Sequence, residues 1–375
     1  MAPLRIALFT GNYNHVEDGV SRTLGRLVGY LEGEGHEVLV LGPTIADPLR
    51  QPGRFLAVPS VAAPGRPEYR VSTGFPAAVR REVERSAPHI VHIATPDVLG
   101  HKALRWARGL GIPVVSTYHT HFASYLDYYH LGLAEPTLWA ALRRFYNRCD
   151  EVYAPTPTMR DALLEHGITS TIRLWPRGIE IDRFRPEARS ESWRRSHGFM
   201  PDDVMVAFVS RLVKEKGLDV FAEVVRLLQQ EGRPVRALVV GDGPEREALM
   251  AELPDAVFTG HLSENEIATA YASSDVFLFP SETETFGNVT LEAMASGLAV
   301  VAADAAGTAS LIAHDRTGLL CPPRDVNAFA DATRRCVEAG TLRARPGRAA
   351  RDEAAGYDWP EVLSRMVAYY RSVME

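Results

Sequence analysis

Two glutamates eight positions apart, Glu284 and Glu292, lie in the segment of this 375-residue chain that carries the most chemistry. The run Pro280-Ser-Glu-Thr-Glu-Thr-Phe-Gly-Asn-Val-Thr-Leu-Glu-Ala-Met-Ala-Ser-Gly297 reads as a strand end, a polar loop and a helix beginning near Gly287. The first-turn N–H groups of such a helix lack intrahelical acceptors and suit a phosphate. Glu284, in the loop, would lie near whatever that phosphate carries. Glu292, one turn inside the helix on the same side as Asn288, could accept hydrogen bonds from vicinal hydroxyls. An anion-binding helix start flanked by two carboxylates fits a polyol phosphate. The plainer alternative is that both glutamates are solvated or cap the helix.

A second segment, Ser210-Arg-Leu-Val-Lys-Glu-Lys-Gly217, also follows a strand. Arg211 offers a fork and Lys216 a point charge where a diphosphate would need neutralising, although a charged surface loop has the same composition. Tyr118-His-Thr-His121 invites a metal reading, but no third ligand stands at a convincing spacing. A histidine at a sheet's carboxyl edge either contacts substrate directly or is held by structural hydrogen bonds. Gly241-Asp-Gly-Pro-Glu begins like a dinucleotide fingerprint, yet Arg246 occupies the place of the third glycine, and Gly11–Gly19 does not fit that fingerprint either. No Gly-Lys-Ser/Thr phosphate loop and no Gly-x-Ser-x-Gly elbow occurs.

The elements that must position these residues alternate. An apolar run over 5–10 leads through the loop Gly11–Gly19 to helical spacing of Leu24, Leu27, Val28 and Leu31, then a strand at 37–41. Helix 76–86, strand 89–93, helix 98–109 and strand 113–118 continue the rhythm. A polar, proline-containing stretch from Ile181 reads as a linker, and the rhythm restarts. Strands are expected at 204–209, 235–240, 257–260, 276–279 and 299–302, with 311–312 and 319–321 continuing the unit. Helices are expected at 218–230, 264–273 and 289–296, with a closing helix at 359–374. The class is α/β, with two Rossmann-like doubly wound parallel sheets. The expected organisation is an N-terminal acceptor-side domain, 1–183, a C-terminal donor domain, 184–356, and a closing helix, 357–375. Ligands of such sheets bind outside the carboxyl ends of the strands, so a central cleft between the domains is the expected site.

Bulk properties narrow the function. Hydrophobic residues at 46% and charged ones at 23% are globular values. A net charge of −6 argues against nucleic acid as a partner. The charge is uneven: residues 1–183 hold 20 Lys/Arg against 18 Asp/Glu, the remainder 21 against 29. No apolar run approaches the roughly 20 residues needed to cross a bilayer. The N-terminus shows no signal-peptide pattern, and Cys149, Cys321 and Cys336 are scattered, so a cytoplasmic setting is expected.

Taken together these segments resemble the large retaining glycosyltransferase family numbered four, of GT-B architecture, over nearly the whole chain. Glu284-Thr-Phe-Gly-Asn-Val-Thr-Leu-Glu292 is similar to the family's paired-carboxylate motif, Arg211 and Lys216 to its diphosphate-binding pair, Gly19 to its phosphate-facing glycine loop, and His119 to its sugar-contacting histidine. Asp18 and Val20 flank Gly19 where several family loops carry paired glycines. The resemblance implies a catalytic set of His119, Arg211, Lys216 and Glu284. It implies donor contacts from Gly19, Gly243, His261, Leu262, Phe286, Gly287, Asn288, Val289 and Glu292, with Glu292 on the ribose and His261 beside the base. It implies transfer of a hexosyl group from a nucleoside-diphosphate sugar, GDP-mannose or a UDP-sugar, with retention, no metal and no cofactor. Within the family, Tyr118-His-Thr-His-Phe, Arg173-Leu-Trp-Pro-Arg-Gly-Ile-Glu and Tyr357-Asp-Trp are closest to glycolipid enzymes, the sulfoquinovosyldiacylglycerol synthases and GDP-mannose-dependent α-mannosyltransferases. That implies a lipid-linked or glycan acceptor of the cell envelope. A nucleotide-sugar epimerase or hydrolase, and a non-catalytic nucleotide-sugar-binding subunit, are the rival readings.

Tyr118, His121 and Tyr125 are the candidate acceptor residues. In 138–149, Leu138, Trp139, Leu142, Phe145 and Tyr146 fall at helical spacing with Arg143, Arg144 and Arg148 between them. Such a helix either lies at an anionic membrane surface, giving peripheral contact with the inner face of the plasma membrane, or turns its aromatic face into the core.

Overall fold

Short runs rich in Val, Ile, Leu, Ala and Phe form the central strands, which are buried on both faces as a helix-covered parallel sheet requires. The computed structural model describes residues 2–16, 18–63, 66–118, 135–284, 286–339 and 344–375. The chain divides into two units: Met1–Pro176 with Pro360–Glu375, and Arg177–Trp359.

In the first unit the strands are β1 (Arg5–Phe9), β2 (Glu37–Gly42), β3 (Arg54–Ala57), β4 (Ser60–Ala63), β5 (Arg66–Ser72), β6 (Ile90–Ile93), β7 (Val114–Thr117), β8 (Glu151–Ala154) and β9 (Thr171–Leu174). Seven of them form a sheet in the order β3-β2-β1-β6-β7-β8-β9, with β4 and β5 as a separate antiparallel pair. Every pairing in the large sheet is parallel; Ile6, for instance, pairs with Val38 on one side and Ile90 on the other. Strand order reverses between β1 and β6, the position where doubly wound sheets open a crevice. β3, the β4–β5 pair, β8 and β9 are additions to the alternation expected from sequence.

The last helix, Trp359–Met374, belongs to this first unit from Pro360 onward. Its Tyr370 hydroxyl lies 2.6 Å from His92 Nδ1 on β6. His92 is fully buried, and burial pushes its pKa down to about 3, so the ring is neutral. Tyr369 donates to the Leu174 carbonyl at 3.2 Å. The helix read as a separate closing element is therefore a cover for the sheet that contains β6 and β9.

Helix Glu135–Tyr146 resolves the two readings of its aromatic face. Trp139, Leu142, Phe145 and Tyr146 are all buried, and Trp139 stacks on His166 at 3.7 Å between ring centroids. Its apolar stripe is a core face, and Arg143, Arg144 and the following Arg148 are among its exposed residues. Among the described residues no helix is long and apolar enough to cross a membrane.

In the second unit β10 (Val204–Val209), β11 (Val235–Val240), β12 (Val257–Gly260), β13 (Val276–Phe279), β14 (Ala299–Ala303) and β15 (Leu319–Cys321) form a sheet in the order β12-β11-β10-β13-β14-β15. Here the order reverses between β10 and β13. Phe208 on β10 packs on Phe279 of β13 at 5.7 Å between centroids and on Phe221 of helix Leu218–Gln230 at 5.1 Å. Leu311 and Ile312, expected to continue the strands, lie instead in the turn after helix Ala306–Ala309, where both side chains are buried. The units meet in sequence at Pro176/Arg177 and Trp359/Pro360, against the expected 183/184 and 356/357.

Candidate functional site

Helix starts in the second unit are capped in different ways. Ser263 caps helix Glu264–Ser273, and Asp325 caps helix Val326–Glu338, each through its side chain. At Leu218–Gln230 and Asn288–Ala295 the capping position is glycine, left-handed in backbone, with no side-chain hydrogen bond to the first turn. Gly217 has φ 70° and Gly287 φ 94°, conformations that L side chains rarely adopt. These two open helix starts follow β10 and β13, the neighbours that flank the point of reversal. Their free amides and positive dipole ends suit an anion.

Three loops stack at this edge. Gly217 lies so close to Pro280 that a Cβ would stand 2.9 Å from the Pro280 carbonyl oxygen. Gly241 and Gly243 run against the Ser210 and Leu212 carbonyls, where any Cβ would collide. Leu212 donates to the Asp242 carbonyl at 2.9 Å, and Glu245 to the Leu212 carbonyl at 3.1 Å. The Gly-Asp-Gly run after β11 thus brings its loop onto the loop after β10.

Lys216 Nζ stands 2.6 Å from Glu284 Oε1 and 3.4 Å from Thr283 Oγ1. Ser281 donates to the same carboxylate oxygen at 3.3 Å. Both charged side chains are largely sheltered, at 13% and 18% exposure, so their attraction is screened less than that of a surface pair. Arg211 is exposed on the same loop as Lys216, and its side chain forms no hydrogen bond or ion pair among the described residues. Glu292, on helix Asn288–Ala295, accepts a hydrogen bond from Tyr271 at 3.0 Å. Burial first, and then the Glu292 carboxylate, push the Tyr271 hydroxyl well above its ordinary pKa, so it stays a donor.

The remaining predicted residues are placed as follows. Asn288 is exposed and Val289 half-buried at the open helix start. Phe286 is buried in the core with its ring 5.9 Å from that of Tyr357, so only its backbone is available to a ligand. His261 is exposed and Leu262 half-buried after β12. Arg246 reaches over the adjoining turn, its Nη1 3.3 Å from Asp242 Oδ2 and 3.7 Å from where a Gly260 Cβ would lie. In the first unit, Gly19 opens helix Gly19–Gly33, but Asp18 Oδ1 already takes the N–H groups of Val20 and Ser21. Tyr118 is buried against Tyr146. His119, His121 and Tyr125 lie outside the described residues. Tyr271, Ser281 and Thr283 carry no role in the sequence reading. Ser281 and Thr283 sit inside the recognised loop, whereas nothing local marks Tyr271.

Residues 18–183 match the family model Glycosyltransferase Family 4, and residues 203–339 match Glycosyl transferases group 1. The GDP-mannose-dependent alpha-mannosyltransferase of Mycolicibacterium smegmatis is 36% identical, over 99% of this chain and 98% of its own length. The chain belongs to glycosyltransferase family 4. Sulfoquinovosyl transferase SQD2 of Arabidopsis thaliana is 34% identical over 97% of this chain and 72% of its own. Among solved structures, sucrose-phosphate synthase of Thermosynechococcus elongatus superposes with a TM-score of 0.79 at 21% identity, covering 99% of both chains. That likeness is one of fold, and it is the GT-B fold expected from the two alternating halves. As a family 4 glycosyltransferase, the protein is an enzyme that uses a nucleotide sugar, and the loops after β10 and β13 carry its two glycine-capped helix starts.

Proposed function

We propose that this enzyme transfers a hexosyl group, mannose from GDP-mannose in the first instance, to a lipid-linked or glycan acceptor of the cell envelope, with retention and without a metal. The observation that carries the reading is the convergence of Arg211, Lys216 and the open helix start at Gly287 on one edge of one sheet. Protein cations and amides of this kind stabilise charge as it grows on a departing diphosphate. Arg211 and Lys216 neutralise the diphosphate, together with the N–H groups of Gly287, Asn288 and Val289. Glu284 holds hydroxyls of the transferred sugar and Glu292 those of the ribose. Gly243, His261, Leu262 and the Phe286 backbone line the nucleotide, and Gly19 keeps the phosphate-facing role that the family resemblance implies. Because Asp18 occupies the first-turn amides beside Gly19, the main neutralisation falls to the second unit. His119 keeps the sugar-contacting role, and Tyr118, His121 and Tyr125 the acceptor role, that the family resemblance implies.

The choice of GDP-mannose is supported by the full-length relative from M. smegmatis, and a lipid acceptor by the resemblance of the segments around Tyr118, Arg173 and Tyr357 to glycolipid enzymes. A UDP-sugar is the alternative donor. Three free, buried cysteines fit a reducing, cytoplasmic setting. Peripheral attachment to an anionic leaflet would rest on the charge of Arg143, Arg144 and Arg148, since the aromatic face of their helix is buried.

The test is a thermal-shift screen of GDP- and UDP-sugars in EDTA, followed by transfer assays with NMR of the product anomer. Stabilisation by GDP-mannose and an α-linked product in EDTA are expected. Activity lost in EDTA and regained with magnesium or manganese would overturn metal independence. A sugar released or epimerised rather than transferred would overturn the transferase reading.

A further inference from the structure

Among the described residues, three that are not glycine hold a positive φ: Ala87, Asp315 and Arg324. Ala87 ends helix Ala77–Ser86, where a left-handed residue commonly closes the last turn. Asp315 is of a type that tolerates this conformation. Arg324, at φ 62°, has neither ground. It follows β15 and directly precedes Asp325, the cap of helix Val326–Glu338. Glycine in its place would relieve the backbone without loss of packing, because the Arg324 side chain is 82% exposed.

That side chain reaches back along the carboxyl edge of the sheet. Its Nε donates to Glu282 Oε1 at 2.7 Å, on the loop after β13. β14 stands between β13 and β15, so the contact crosses its end. An ion pair this exposed contributes little to stability. A strained backbone that carries a contact of little worth to the fold points to a use in the reaction.

Glu282 stands two residues before Glu284, and their loop is tied at three places. Lys216, after β10, pairs with the Glu284 carboxylate at 2.6 Å. The Gly307 N–H, after β14, donates to the Glu284 carbonyl at 3.0 Å. Arg324, after β15, holds Glu282. On the proposed function the first tie is surrendered, because the diphosphate draws Lys216 to itself. Arg324–Glu282 is then the ion pair that remains on this loop among the described residues.

We propose that Arg324 is a positioning residue for transfer. Through Glu282 it keeps the loop after β13 in place while the donor occupies Lys216, so that the Glu284 carboxylate stays set for the sugar hydroxyls. This rests on the role given to Glu284 above and adds to it a residue, outside the paired-carboxylate motif, that serves it.

The test uses the full-length enzyme with GDP-mannose and, in parallel, UDP-glucose. Turnover is read as nucleoside-diphosphate release, with detergent-dispersed diacylglycerol and monoglycosyl diacylglycerol as acceptors. Arg324→Gly, Arg324→Lys, Glu282→Gln and the Arg324→Gly/Glu282→Gln double variant are compared, with Glu284→Gln alongside. Arg324→Gly and Glu282→Gln should each lower kcat by about threefold or more, and the double variant should fall no further than either. Affinity for free GDP or UDP should not change. Arg324→Gly should hold or raise Tm, since the strain is gone, and Arg324→Lys, which keeps the charge, should retain more than about half of the wild-type rate. Additive losses, an unchanged kcat in Arg324→Gly, no rescue by lysine, a loss of nucleotide affinity, or a Tm that falls in step with the rate each overturns the proposal. A Glu284→Gln variant that turns over at the wild-type rate removes the sugar role of Glu284, and this proposal with it. Turnover lost in Glu284→Gln but kept in Arg324→Gly defeats the positioning role alone. No nucleotide release from either donor by the wild-type enzyme sinks the transferase reading itself.

Discussion

Lys216 and Glu284 form an ion pair of 2.6 Å that ties the loop after β10 to the loop after β13, across the point where the sheet order reverses. The cation assigned to the diphosphate and the carboxylate assigned to the sugar are thus held together. On the proposed assignment an incoming diphosphate competes with Glu284 for the ammonium group, which frees Glu284 to bind hydroxyls. Replacing Lys216 or the neighbouring Arg211 by Ala should slow transfer by roughly 2–4 kcal/mol in the barrier, as loss of one donor aimed at developing charge does. Steady-state kinetics with donor titration reads this; two variants with wild-type kcat/KM would move the diphosphate elsewhere.

Glu284→Gln and Glu292→Gln should separate. The first removes the competitor for Lys216, so GDP should bind as well as before or better while transfer falls at least tenfold. The second touches a group assigned to ribose, so nucleotide affinity should fall more than the saturated rate. Calorimetry with free GDP beside transfer kinetics makes the comparison, and equal losses of nucleotide affinity in both would refute this division of roles.

Tyr271→Phe removes the hydroxyl that orients Glu292 from 3.0 Å. One hydrogen bond to a carboxylate is worth about 1.5–3 kcal/mol, discounted here because Glu292 is only half-buried, so about 1 kcal/mol is expected. The KM for donor should rise about fivefold, with kcat less affected. An unchanged KM would show that Glu292 is oriented by other groups.

Gly243→Ala would drive a methyl group into the Leu212 carbonyl. The backbone must move to relieve the clash, and with it the loop that carries Arg211. Donor stabilisation in a thermal-shift assay should vanish while the far-ultraviolet circular dichroism stays wild-type. Retained stabilisation by donor would mean that the two loops are not stacked as described.

His92 gives a stability signature against pH. It stays neutral in the folded protein down to about pH 3, whereas its unfolded counterpart protonates near pH 6.5. Between those values the unfolded chain binds the extra proton, so stability is complete above about pH 6.5 and declines as pH falls. The slope cannot exceed about 1.4 kcal/mol per unit. From pH 7 to pH 5 the wild-type protein should lose about 1–2 kcal/mol more than His92→Phe in urea unfolding of the first unit. Parallel losses in the two proteins would deny His92 this part.

Much of this was present in the order of residues alone. Apolar runs at strand length, helical spacing between them and glycine just ahead of Leu218 and Asn288 are local signals. Local backbone preference therefore settled the two α/β halves and the loops that hold Arg211, Lys216, Glu284 and Gly287. The eight-residue spacing of Glu284 and Glu292 placed one carboxylate in the loop and the other in the helix for the same reason. Tertiary structure decided the partners. An amphipathic stripe states that a face is buried but not against what. Trp139, Phe145 and Tyr146 turned out to face the core of their own unit rather than to lie free for a bilayer, and Tyr370 returned to His92 across 278 positions. Tyr271 reached Glu292 only because the helices that carry them pack together in the second unit.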